Sequence, residues 1–335
     1  MNGQKKDIYY YQSASVKDLS SELTKAMRGM EQDGDRYVKS GAVNTIFVVR
    51  GDYDREKTED LINTFTLAHP NRAFLVVIDE EQQELKAEFS ARCHKVSQNE
   101  HVCSEVIRLS AKEKNLTALK SVIRANLLTG MNTELVLFNG KNFLQEYENF
   151  AELSEQLIFT SADFADKFQD LSELLSSRLN LVDLEWIKLG TWRDQIKEIF
   201  DLPLARESLH ELKAVNIIYS GSASSAKLLS GWIFDRLRNA YNEPQRLLYQ
   251  ITEGGDKDGL CSLTLSFQNS EDYIQINHAD LLESEISLGV KIRTTRVIED
   301  LSDNELLKRF FLVGESTCNY RSSLAGALKL DGILS

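Results

Sequence analysis

Scarcity narrows this chain first. Three prolines among 335 residues leave no proline-rich disordered linker. Four cysteines in a chain of this length are too few for a disulfide framework. Positive charge is in deficit: 39 Lys and Arg face 51 Asp and Glu, a formal net charge of −12. Phosphate binding needs clustered cations, so no nucleic acid is expected as main partner. No apolar run approaches the roughly 20 residues that span a bilayer, so no membrane is expected either. The opening Met-Asn-Gly-Gln-Lys-Lys-Asp has no apolar segment behind its lysines and does not read as a secretory leader. The cytoplasm is the expected address. The patterns G-x-G-x-x-G, G-x-x-x-x-G-K and G-x-S-x-G are all missing. No catalytic residue, cofactor or metal is therefore assigned.

A hydrophobic share of 42% with 27% charged residues is that of an ordinary globular protein, long enough for two cores. In the first half strand and helix patterns alternate. Strands are expected at Thr45–Val49, Arg72–Ile78, Leu135–Phe138 and Gln156–Thr160, with a hairpin of Lys86–Val96 and His101–Leu109. Helices are expected at Val16–Met30, Thr58–Leu67 and Leu116–Leu128. Such alternation implies an open, mostly parallel α/β sheet. The second half reads as α+β with a largely antiparallel sheet. Its strands are Val215–Tyr219, Gln245–Thr252, Leu260–Phe267, Tyr273–His278 and Ile286–Arg293, and its helices are Ala223–Tyr241, Ser302–Leu312 and Ser322–Leu330. The domain reading is 1–162 for the α/β half, 163–204 for a helical linker, with a helix at Asp163–Arg178, and 205–335 for the α+β half.

Within that linker, Asp183-Leu-Glu-Trp-Ile-Lys-Leu-Gly-Thr-Trp-Arg193 holds two of the three tryptophans and no His, Cys or Ser poised as a nucleophile. Thr191 is a candidate N-cap, and Trp192, Ile196, Ile199 and Phe200 form one apolar stripe that Pro203 ends. Tryptophan contributes heavily wherever it is buried, in a core or at an interface. Two readings follow, and they are compatible: the indoles join the two halves, or Trp186, Trp192 and Arg193 meet a partner protein.

The string D-L-x-W-x-x-L-x-x-W-R followed by F-D-x-P resembles the signature of the OpcA-type glucose-6-phosphate dehydrogenase assembly proteins. Three further segments agree in order: His69-Pro70-Asn71-Arg72 before an apolar strand, Cys93 ten residues before Cys103, and Leu228-Leu-Ser-Gly231-Trp232. Together they span about residues 20 to 240. The chain departs from the family pattern at Glu134–Asn139, where Phe138 is the only aromatic, and at Lys188, where an Arg is expected; it resembles a divergent member. The resemblance implies a non-catalytic assembly factor or allosteric activator of glucose-6-phosphate dehydrogenase, in the oxidative pentose phosphate pathway. It adds His69 and Arg72 to the partner-binding candidates.

Two constellations remain. Cys93, His94, His101 and Cys103 never all converge in either hairpin register, because side chains alternate across a strand. A four-residue loop sets His94 against Cys103, and a three-residue loop sets Cys93 against Cys103. The pair Cys93 and Cys103 is then a candidate redox couple or two buried thiols. Ser220–Lys227 sits between a strand and a helix, where Ser222 and Ser224 read as N-cap residues or as an anion-binding loop. The alternative function rests on that loop: an enzyme or sensor for a phosphorylated small molecule.

Overall fold

The computed structural model describes residues 8–14, 16–30, 36–39, 43–68, 71–97, 100–138, 142–238, 247–299, 301–313, 317 and 319–334. It is an α/β protein with one mostly parallel and one largely antiparallel sheet. The chain forms two compact units, Met1–Phe159 with Arg178–Asn180 and Leu307–Gly314, and Thr160–Ser177 with Leu181–Leu306 and Glu315–Ser335.

Unit 1 runs β1 (Ile8–Ala14), α1 (Leu19–Met30), β2 (Arg36–Lys39), β3 (Val43–Arg50), α2 (Arg55–Ala68), β4 (Asn71–Ile78), β5 (Lys86–Ser97), β6 (Glu100–Ala111), α3 (Leu116–Asn126), β7 (Thr133–Leu137), α4 (Phe143–Phe150) and β8 (Gln156–Phe159). Its strands lie in the order β1-β5-β6-β4-β3-β7-β8, with β2 on β6. The pairs β4–β6, β4–β3, β3–β7 and β7–β8 are parallel, whereas β5 is antiparallel to β1 and β6. β3 and β4 read as continuous apolar runs because helices cover both faces of a parallel sheet. Ile46, Phe74 and Val76 are accordingly fully buried. Phe65 of α2 packs edge-on against Phe47 of β3, ring centroids 5.0 Å apart. β1, β2 and α4 carry no signal that the sequence reading picked up.

The chain continues through β9 (Asn180–Asp183), α5 (Leu184–Lys188), α6 (Gly190–Asp201), α7 (Pro203–Glu207), β10 (Leu212–Ser220), α8 (Ser224–Leu237), β11 (Leu248–Glu253), β12 (Gly259–Phe267), β13 (Tyr273–His278), β14 (Leu282–Ser287), β15 (Lys291–Arg296), α9 (Asp303–Val313) and α10 (Tyr320–Leu334). All of these lie in unit 2 except Asn180 at the start of β9 and Leu307–Val313 of α9, which belong to unit 1. The sheet order is β11-β10-β12-β13-β14-β15, and only β10–β11 is parallel. Alternation is visible in β12 and β13, where Leu263, Leu265, Ile274 and Ile276 point into the core.

Several expectations are corrected. Asp163–Arg178 is not an α-helix: Ser161–Ser176 is wound as 3₁₀-helix and broken by non-helical backbone at Phe164 and Lys167. The strand expected over Ile286–Arg293 is instead the turn between β14 and β15, with Gly289 at φ +75° supplying the left-handed position. Thr191 does not cap a helix. α6 begins at Gly190, one residue earlier, and its preceding residue Leu189 makes no side-chain cap. Leu202 is extended before Pro203, as a residue before proline should be.

Candidate partner-recognition elements

The tryptophan segment is organised by Asp183. Its Oδ1 accepts from the backbone N–H of Glu185 at 3.0 Å, which caps α5, and from that of Ser161 at 2.9 Å. Its Oδ2 accepts from the Tyr320 hydroxyl at 3.0 Å. Both side chains are inaccessible to solvent, Asp183 at 0% and Tyr320 at 1% exposure. Burial pushes the Asp183 carboxyl up to about 7 against the donors that pull it down, and lifts Tyr320 well above its ordinary value. This acid–phenol pair has no route to a substrate, so it ties three segments of unit 2 together.

Trp186 and Trp192 are equally enclosed. Trp186 is 1% exposed and lies edge-on to Tyr320 at 5.9 Å. The Arg193 guanidinium stacks 3.7 Å from the Trp186 ring centroid and donates through Nη1 to the Trp186 carbonyl at 2.6 Å. Trp192 is 3% exposed and meets the His278 ring edge-on at 6.4 Å. In this conformation the signature aromatics therefore shape unit 2 from within, and any surface they offer a partner is the one they support.

The serine loop is similarly committed to its own unit. Ser224 Oγ donates to the Ser161 carbonyl at 2.6 Å, and Ser222 Oγ accepts from the Ser224 N–H at 3.3 Å. Ser225 Oγ donates to the Glu185 carboxylate. Glu185 is 6% exposed and also holds Lys188 at 2.7 Å. A carboxylate from the signature segment thus stands at the start of α8, where an external anion would compete for the helix N-terminus. Neither Ser222 nor Ser224 is the residue before α8, which is Ala223.

In unit 1, Arg72 donates to Glu105 at 2.6 Å and to the Asn126 carbonyl at 2.6 Å, locking β4 to β6 and α3. Asn71 donates to Thr45 at 2.9 Å across to β3. His69 lies outside the described residues. Glu105 is 2% exposed, so Arg72→Ala strands a buried carboxylate and is expected to cost about 3 kcal/mol. Chemical denaturation checks this; a midpoint within experimental scatter of wild type would place Arg72 at a surface role alone.

Backbone register sets Cys93 directly opposite Cys103, and His94 opposite Val102. This is the arrangement that separates His94 from the pair; the side chains lie outside the described set. Among the described residues no group of three or more His, Cys, Asp or Glu could hold a metal.

One crevice lies where parallel α/β sheets usually bind ligands, at the strand C-termini where the winding reverses. The chain leaves β3 toward β4 on one side, and β7 lies on the other. Val48, Val49, Arg50, Leu137, Asn142 and Glu146 line it. Arg50 is held by Glu146 at 2.6 Å and Glu113 at 3.1 Å. The cation a phosphate would need is already engaged. Neither carboxylate belongs to a motif, so this pairing leaves no mark in the sequence.

Gly231 of α8 explains the L-L-x-G-W segment. A Cβ there would lie 2.8 Å from Ala327 Cα and closer still to the Ser323 carbonyl and Ala327 N–H of α10. Only glycine lets the two backbones approach. Lys227 to Asp331 at 2.6 Å and Ser322 to Asp235 at 3.0 Å flank the crossing.

Residues 63–176 match a family model described as the glucose-6-phosphate dehydrogenase subunit N-terminal domain, and residues 179–310 match its C-terminal domain. The chain belongs to the OpcA family. It is 31% identical over 208 residues to an OxPP cycle protein OpcA of Nostoc punctiforme, covering 59% of this chain and 43% of that one. It is 28% identical over 195 residues to the OpcA protein of Synechocystis, covering 53% and 39%. The chain thus spans less than half the length of these OpcA relatives. Among solved structures it is similar to biliverdin reductase from Synechocystis at 10% identity and TM-score 0.39, covering 88% of this chain and 98% of that one. That likeness carries no functional weight. No helix among the described residues is long and apolar enough to cross a membrane.

Proposed function

We propose that this protein is a non-catalytic, cytoplasmic assembly factor and allosteric activator that binds glucose-6-phosphate dehydrogenase and favours its active form. The observation that carries the reading is the match of both halves to domains described as belonging to a dehydrogenase subunit. Supporting it, the serine loop and the switch-point arginine spend their polar groups on residues of this same chain. Activation follows if the protein binds the active conformation of the dehydrogenase more tightly than the inactive one, and it is capped by that difference in affinity. The dehydrogenase itself supplies the cofactor and sugar-phosphate chemistry.

The test is the rate of the same organism's dehydrogenase against glucose 6-phosphate concentration, with and without saturating protein. Half-saturation is expected to fall, or maximal rate to rise, by about fivefold or more, the span of ordinary allosteric couplings. A superimposable curve would remove the activator role.

A further inference from the structure

We infer that the outward face of the unit 2 sheet is a self-association surface, joining two copies of this chain face to face. Strand register places three rows of side chains on that face. β10 contributes Asn216 and Ile218, β12 Ser262 and Thr264, and β13 Gln275 and Asn277, aligned as Asn216–Thr264–Gln275 and Ile218–Ser262–Asn277. The opposite positions, Leu263, Leu265, Ile274 and Ile276, fill the core.

Charge is what sets this face apart. Of the whole chain, 27% of residues are charged and the net is −12. Yet no outward position of β11, β12 or β13, nor of β10 from Ala214 to Ile218, carries an Asp, Glu, Lys, Arg or His. At the far edge the charges cancel: Glu285 of β14 is bound by Arg293 of β15 at 2.6 Å and also accepts from the Tyr273 hydroxyl. Depletion of charge is a mark of the centre of an interface. Ile218 at 40% and Leu248 at 53% exposure add apolar area to it.

The occupant follows from the same charge pattern. An acidic chain approaches its own copy only through a face that carries no net charge, since elsewhere like charges repel. A two-fold axis makes the patch self-complementary, and hydroxyls and carboxamides both donate and accept, so pairing between two copies can be satisfied. Four strands of six to nine residues, about 4.8 Å apart and rising about 3.4 Å per residue, give a footprint of roughly 19 by 25 Å. Two such faces bury about 1,000 Å² in total, the low end for a specific interface.

Sedimentation equilibrium across the micromolar range tests this, independently of any dehydrogenase. Wild type is expected to rise from the 38.1 kDa chain mass to twice that value. Thr264→Glu, which puts an unpaired carboxylate at the centre of the face in each copy, is expected to weaken the dimer at least tenfold with an unchanged melting curve. Gln275→Cys, oxidised without reductant, is expected to link two copies, which keeps a readout if Thr264→Glu misfolds. A wild-type mass that stays at one chain throughout, or a dimer that Thr264→Glu leaves intact, would overturn the inference.

Discussion

Replacing Gly231 with alanine is expected to unfold unit 2 or to lower its melting temperature by about 10 °C or more. The added methyl meets backbone atoms of α10, not a flexible side-chain end, so no local rotamer change relieves it. Overpacking commonly costs about 1–3 kcal/mol, and a clash with a neighbouring helix backbone lies at or beyond the upper end. In a unit of this size each kcal/mol shifts the midpoint by about 2–4 °C. The companion change Gly326→Ala tests the same crossing from the other side, because its Cβ would lie 3.2 Å from Gly231 Cα and meet the Gly231 carbonyl. Calorimetry of the two variants decides it. A Gly231→Ala protein melting within 2 °C (roughly 1 kcal/mol) of wild type would show that the helices do not cross there.

The second large effect belongs to Asp183. Asp183→Ala leaves two backbone N–H groups and the Tyr320 hydroxyl without their acceptor in a site closed to water. Unsatisfied buried donors cost about 1–3 kcal/mol each, so a loss of about 3 kcal/mol or more is expected. Asp183→Asn keeps the Oδ1 acceptor and is expected to be far milder. The two variants separate further with pH. Burial raises the folded carboxyl from 3.8 to about 7, so the folded state holds the proton more tightly than the unfolded state. That contribution is complete below about pH 4 and is lost as pH rises through about 7. Glu134, raised by burial to about 7, acts in the same direction within unit 1. Wild-type stability is therefore expected to fall between about pH 5 and pH 8, with a shallower fall in Asp183→Asn. An equal slope in both proteins would remove Asp183 as a source.

Much of the fold was legible because it rests on period. β4 and β12 show the continuous and alternating patterns that parallel and antiparallel sheets require, and the family segments sit in the order expected of them. What misled was local competition. Ser161–Ser176 has helical apolar spacing, but backbone at Phe164 and Lys167 breaks it. β14 and β15 merged into one strand on the page because only Gly289 marks their turn. The helix start at Thr191 was misplaced because Asp183 already caps α5, and α6 continues from it through Leu189 without a new cap.

The candidate site was legible as a place and not as a geometry. Trp186, Trp192 and Arg193 stood out in sequence by type, and type alone does not tell a core indole from an exposed one. Glu185 and Tyr320 carried no comparable signal, and Asp183 stood out only as the first residue of the family string. Their pairing depends on contacts that join positions up to 137 residues apart. Sequence spacing contains no trace of such a contact, whereas the glycine in Leu228–Trp232 acquired its meaning only when Ala327 was seen beside it.

If this chain works by binding the dehydrogenase and performs no turnover of its own, the two purified proteins form a complex. Sedimentation velocity of each alone and of both mixed at micromolar concentration measures it. A new, faster boundary is expected in the mixture, containing both chains and depleting the free dehydrogenase. Two boundaries that sediment in the mixture as they do alone, at every ratio tried, would contradict it.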